Sequence, residues 1–171
     1  MIEAHIAVGL VVERRVLSSQ WGGFVWRPVV VFATPPEVAP WTVIGQTAEA
    51  TRYYAGEALV HLYSTDTANY RDNLETGSPK LWVVLHAAGE EPPVEVAAVT
   101  ADPAEGEAST ETGTNAVETL DMPAQIVAAV AAFVAEHHVE RPIIKRKRDR
   151  AEPDVKWRVA GPGGRRGEPS E

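Results

Sequence analysis

The chain has 171 residues, five histidines, no cysteine and a formal net charge of −8. That charge is unevenly placed: residues 1–140 hold 6 Lys/Arg against 19 Asp/Glu, a net of −13, and residues 141–171 hold 10 against 5, a net of +5. The lack of cysteine excludes disulfides, thiolate metal sites, iron–sulfur ligation and cysteine nucleophiles, and an acidic body is a poor match for a phosphate backbone.

The body is long enough for one core, since domains usually run to about 100–150 residues. No apolar stretch reaches the ~20 residues that span a bilayer. Met1, Ile2, Glu3, Ala4 and His5 lack the basic start of an export signal, so a cytoplasmic protein is expected. Ile6, Val8, Leu10 and Val12 alternate with smaller neighbours before Glu13, Arg14 and Arg15, which predicts a half-buried strand. Gly22 and Gly23 open a second apolar run from Phe24 to Phe32. Its Pro28 cannot donate to a ladder, so it faces an open edge or sits at a bulge. Extended structure resumes at Trp41 after Pro35, Pro36 and Pro40. A turn at Gly56 is expected to separate two strands, with Leu59 and His61 on one face of the second and Val60 and Leu62 on the other.

The period changes after Thr65. Asp66 is placed to cap a short helix carrying Tyr70 and Leu74 on one side. Leu81 to Leu85 reads as a central strand buried on both faces, and Val94 to Thr100 as another. Asp102, Pro103 and Glu105 match a helix start, with Gly106 and Gly113 keeping the helix short and an acidic mobile loop following through Thr114. Pro123 opens the clearest helix, whose stripe is Ile126, Val127, Val130, Phe133 and Val134. The expected fold is α+β: a mainly antiparallel sheet or partly closed barrel covered by a C-terminal helix, with a disordered basic tail. Residues 1–148 make a single domain and 149–171 the tail.

No catalytic, cofactor or metal site is assigned. His137 and His138 are adjacent on a helix and point about 100° apart, whereas helical metal pairs use spacings of three or four. His5, His61 and His86 are read as having no local carboxylate partner in sequence, so a charge-relay arrangement is not supported. No nucleophile elbow surrounds a serine, and Gly161, Gly163 and Gly164 lack the strand and helix of a phosphate loop. The residues expected to contact a protein partner are Trp21, Trp26 and Arg27, the basic block Lys145, Arg146, Lys147 and Arg148, and Trp157. Trp and Arg are typical binding hot spots, and residues 155–159 alternate as a docking strand would. The other aromatics at strand spacing are expected to pack in the core.

The order of Val11, Val12, Glu13, Arg14, Arg15, then Trp21, then Trp26, Arg27, Pro28, then Tyr70, Arg71, Asn73, Leu74 resembles the bacterial domain-of-unknown-function family 3305. Val99, Thr100, Ala101, Pro103, Glu105, then Val117, Glu118, Met122, Pro123, then Phe133, Val134, His137, His138 and the basic block extend the likeness over about residues 5–148. Members of this family tend to be encoded beside molybdenum-dependent formate dehydrogenases and their maturation proteins. The resemblance therefore implies a non-catalytic accessory protein that binds such an oxidoreductase or one of its maturation factors. The alternative it carries is a molybdenum-cofactor nucleotidyltransferase-like enzyme, with Arg14, Arg15 and Arg27 on the phosphates of a guanosine nucleotide. Against it stands the first strand, which runs into Val11, Val12 and Glu13 with no glycine cradle.

Overall fold

A computed structural model describes residues 1–89 and 91–140. Lys145, Arg146, Lys147, Arg148, Trp157 and the expected tail lie outside the described residues. In chain order the elements are β1 (Glu3–Val16), β2 (Phe24–Phe32), β3 (Thr42–Gln46), β4 (Ala50–Tyr63), α1 (Thr67–Glu75), β5 (Lys80–Ala87), β6 (Val94–Thr100), α2 (Pro103–Glu111), β7 (Asn115–Asp121) and α3 (Ala124–His137). The sheet order is β2-β1-β4-β6-β5-β7, with β3 added to the N-terminal half of β4. Every pairing is antiparallel except β4 with β6, which meet in parallel at Val60 and Val99. β2 and β7 approach each other across a cleft lined by residues of both, so the sheet is a nearly closed barrel.

Bulges decide which side chains meet. Leu10 pairs with Gly56 but the next residue, Val11, pairs with Tyr54, so Ala55 is an extra residue on β4. In the same way Val29 is extra on β2, between the partners of Val11 and Val12. One inserted residue reverses the face on which every later side chain stands. Gly56, expected at a turn between two strands, therefore lies inside one continuous β4, and its φ of 115° is the backbone conformation the bulge needs. Pro28 is both beside a bulge and on a strand that pairs with β1 alone, the two settings in which a strand tolerates a missing N–H.

The core joins Val8, Leu10, Val60, Leu62, Leu81, Val83 and Val99 of the sheet to Tyr70 of α1 and to Ile126, Val130, Phe133 and Val134 of α3. The α3 stripe is thus buried as its spacing predicts, with the Phe133 ring edge-on to Tyr70 at 6.5 Å. Burial pushes the Tyr70 phenol up to about 12, and its oxygen accepts from the Tyr63 N–H. His138, just past α3, ties the helix end to α1: its Nδ1 meets Thr67 Oγ1 at 3.1 Å and its Nε2 meets Arg71 at 3.0 Å. A guanidinium only donates, so Nε2 accepts and Nδ1–H donates to Thr67.

A polar joint fixes α1 to the strands. Buried Asn73 donates to the carbonyls of Lys80 and Ala101 and accepts from the Lys80 N–H. Asn69 bonds both carboxylate oxygens of Asp102, which caps α2 by accepting from the Ala104 N–H. Three expectations need correction here. Asp66 precedes α1 without a side-chain cap, and Thr67 Oγ1 bonds the Ser64 carbonyl instead. Gly106 does not shorten α2, which runs through it to Glu111; a Cβ there would stand 2.1 Å from Cγ of Trp82, so glycine serves helix–sheet approach. The stretch read as loop is mostly helix, and after Gly113 the chain forms β7, which pairs along β5 from Asn115 to Asp121.

Candidate functional site

Residues 24–28 of β2, 12–16 of β1, 50–54 of β4 and all of β3 form a four-stranded wing whose residues are not part of the main core. One face is aromatic. Arg14 lies opposite Trp26 on β2, and its guanidinium stands 4.6 Å from the Phe24 ring centre, 5.9 Å from Trp26 and 6.0 Å from Tyr53. Trp26 contacts Tyr53 at 5.6 Å and Trp41 at 6.3 Å. Trp41 has a φ of 64°, a left-handed conformation that is uncommon for a bulky residue and is held by its N–H on the Tyr54 carbonyl. Phe24 is 54% exposed, and Val16, Val43 and Ile44 are exposed nearby. Trp21 sits on the β1–β2 hairpin turn, where Gly22 and Gly23 supply the positive φ angles, and is 87% exposed.

The opposite face is built on one acid. Glu13 is 2% exposed, and its oxygens accept from Arg52 Nε at 2.9 Å and Arg15 Nε at 3.1 Å, with Arg27 at 4.0 Å. Register makes the set: Glu13 lies opposite Arg27 on β2 and Arg52 on β4. Burial alone raises the Glu13 pKa, but the hydrogen bonds and charges of Arg52 and Arg15 outweigh it and hold the carboxyl below the ordinary glutamate value. The three guanidinium groups are about half-exposed, so they remain open to solvent on their outer sides. With Arg14 on the other face, the wing carries four of the six Lys/Arg found before residue 141.

Of the residues expected to contact a partner, Trp26 and Arg27 fall on this wing but on opposite faces, and Trp21 lies on the turn that joins β1 to β2. Trp26 belongs to the aromatic face and Arg27 to the Glu13 face. Arg14, Arg15 and Arg27, grouped on phosphate in the nucleotide reading, are likewise split, since Arg14 stacks on rings and the other two sit around Glu13. The expected aromatic core is only partly one: Tyr54 and Tyr70 are buried, and Trp41 and Tyr53 are half-buried. Sequence reasoning missed Glu13, Arg52 and Trp41. Glu13 looks like the end of a strand until register sets it between two arginines, and the aromatic run at residues 53–54 was the available signal for the face.

A second group lies on the outer surface of the β1–β4 ladder. His5 and His61 are cross-strand partners, and Glu3 lies two residues along. His5 and His61 therefore do have a carboxylate partner, contrary to the sequence reading: Glu3 Oε1 is 3.3 Å from His61 Nδ1 and 3.7 Å from His5 Nδ1. His61 also lines a cleft of about 310 Å³ between β4 and β6, with Glu57, Leu59, Tyr63 and Glu105.

No helix among the described residues is long and apolar enough to cross a membrane. Neither a curated protein nor a solved structure matches the chain. A family model described as a protein of unknown function (DUF3305) matches residues 7–148, most of the chain, which therefore belongs to that family.

Proposed function

We propose that the chain is a non-catalytic accessory protein that docks a molybdenum-dependent formate-dehydrogenase-type oxidoreductase, or one of its maturation factors, through the wing. The observation that supports docking is the aromatic face of Phe24, Trp26 and Tyr53 around Arg14, continued by Trp41, with Trp21 highly exposed on the β1–β2 turn. Trp, Tyr and Arg are the residues that dominate binding energy when water is excluded around them. Four cations gathered on one part of an acidic body favour an acidic partner surface and a salt-sensitive association rate. The formate-dehydrogenase context comes from the family resemblance.

The test is affinity capture with the full chain from its own cells grown with formate and molybdate, followed by mass spectrometry. Recovery of a molybdenum oxidoreductase or its maturation factor, lost in a Trp21→Ala, Phe24→Ala variant that melts like the parent, is the expected result. Capture that survives this variant overturns the docking face. Deleting residues 145–171 tests the basic segment separately: capture is abolished while the circular dichroism of residues 1–140 is retained. A guanosine nucleotide with magnesium that gives calorimetric heat at millimolar concentration overturns the non-catalytic reading.

A further inference from the structure

We propose that Glu3, His5 and His61 form a binding site for a divalent transition metal of the zinc type. The donor atoms, one from each residue, all lie within 4.8 Å of one another. Zinc bonds histidine nitrogen and carboxylate oxygen at about 2.0–2.2 Å, so neighbouring ligand atoms on a tetrahedral ion are roughly 3.3–3.5 Å apart. The 3.3 Å from Glu3 Oε1 to His61 Nδ1 already has that spacing, and the 3.7 Å to His5 Nδ1 exceeds it by a few tenths of an ångström. All three side chains are exposed, so a small change of rotamer closes the gap without moving the core.

The backbone supplies the arrangement. Antiparallel register sets His5 against His61, and the two-residue period of β1 puts Glu3 on the same face. The imidazole rings stand edge to face at 4.7 Å, which leaves both Nδ1 atoms directed at Glu3 rather than stacked away from it. Among the described residues, the ion-pair partners of Glu3 are these two imidazoles, so no lysine or arginine competes for its carboxylate. Two nitrogens and one oxygen are the donor set of zinc and its first-row neighbours rather than of magnesium or calcium. Three protein ligands leave a fourth position for water or for a group entering the cleft that His61 lines.

The chain has five histidines and no cysteine, which makes the test clean. Tag-free full chain is titrated with zinc by calorimetry and with cobalt(II) by visible absorption. The expected result is one ion per chain at micromolar affinity, with cobalt bands of a four- or five-coordinate site. His61→Ala and His5→Ala should each weaken binding by more than the roughly tenfold that even an outer-shell change can cost. His86→Ala should leave it unchanged, because His86 faces Asn115 at another part of the sheet. Circular dichroism verifies that the variants fold. No uptake at about a hundred-fold above the micromolar range, or uptake indifferent to His61→Ala, overturns the proposal and leaves Glu3 as a plain acceptor for histidine.

Discussion

Replacing Glu13 with Gln should loosen the wing, and by an amount that depends on pH. The substitution keeps the side chain's size and one acceptor oxygen but removes the negative charge that faces Arg15, Arg27 and Arg52. Breaking a fully buried ion pair costs about 3–5 kcal/mol. Here the acid is buried while its partners are about half-exposed, so water screens part of the charge. A hydrogen bond to a charged group contributes about 1.5–3 kcal/mol. Losing one such bond and weakening another, after screening, gives a loss of about 2 kcal/mol near neutrality. With a urea slope of about 2 kcal/mol/M, the unfolding midpoint falls by about 1 M. The acid limb then separates charge from packing. The folded-state pKa is depressed below the ordinary glutamate value, so the parent's advantage is complete above the unfolded pKa and is lost as the pH falls from it through the folded one. Urea titrations of both proteins at about pH 7 and about pH 3.5 should show the gap narrowing in acid. A gap that stays constant, or one below about 0.5 kcal/mol at neutral pH, refutes the assignment of Glu13 as the electrostatic centre of the wing.

Two substitutions probe the frame that carries the sites. Asn73→Leu removes three hydrogen bonds of a buried side chain, at 2.8, 2.9 and 3.0 Å, from the joint between α1 and the strands, and should cost about 3 kcal/mol in urea unfolding. Gly106→Ala gains up to about 1 kcal/mol of helix propensity but drives a methyl into Trp82, so a net loss of about 1–2 kcal/mol with altered tryptophan fluorescence is expected.

The strands that alternate strongly were legible because their period is local: Val60 and Leu62 face the core while Leu59 and His61 face out, as read. β7 was not, since Ala116, Thr119 and three acidic or amide residues give it little apolar contrast, and its strand character comes from pairing along the whole of β5. Gly56 carries the same residue-level signal at a bulge as at a turn. What distinguishes them is whether β1 continues past it, and that depends on residues 40 or more positions away. The α3 stripe and its burial were readable because a 3.6-residue period suffices. Glu3, His5 and His61 were not joined because nothing in the local sequence sets the register between β1 and β4.

The wing also explains how one strand serves two purposes. β1 is continuous from Glu3 to Val16, and the extra residues that change register are on its neighbours, Ala55 on β4 and Val29 on β2. Val8 and Leu10 therefore face the core, and the same face further along presents Arg14 to the aromatics. The opposite face carries Glu3 and His5 at one end and Glu13 and Arg15 at the other. Without those bulges, Trp26 and Arg27 would exchange faces relative to Val31, which packs against the core, and Arg27 and Arg52 would lose their acid. A sheet that needed only to close a barrel would gain nothing from a wing whose phenylalanine and valines stay exposed and whose Trp41 holds a left-handed backbone. Contact with a partner would bury the exposed rings and give that backbone conformation a use.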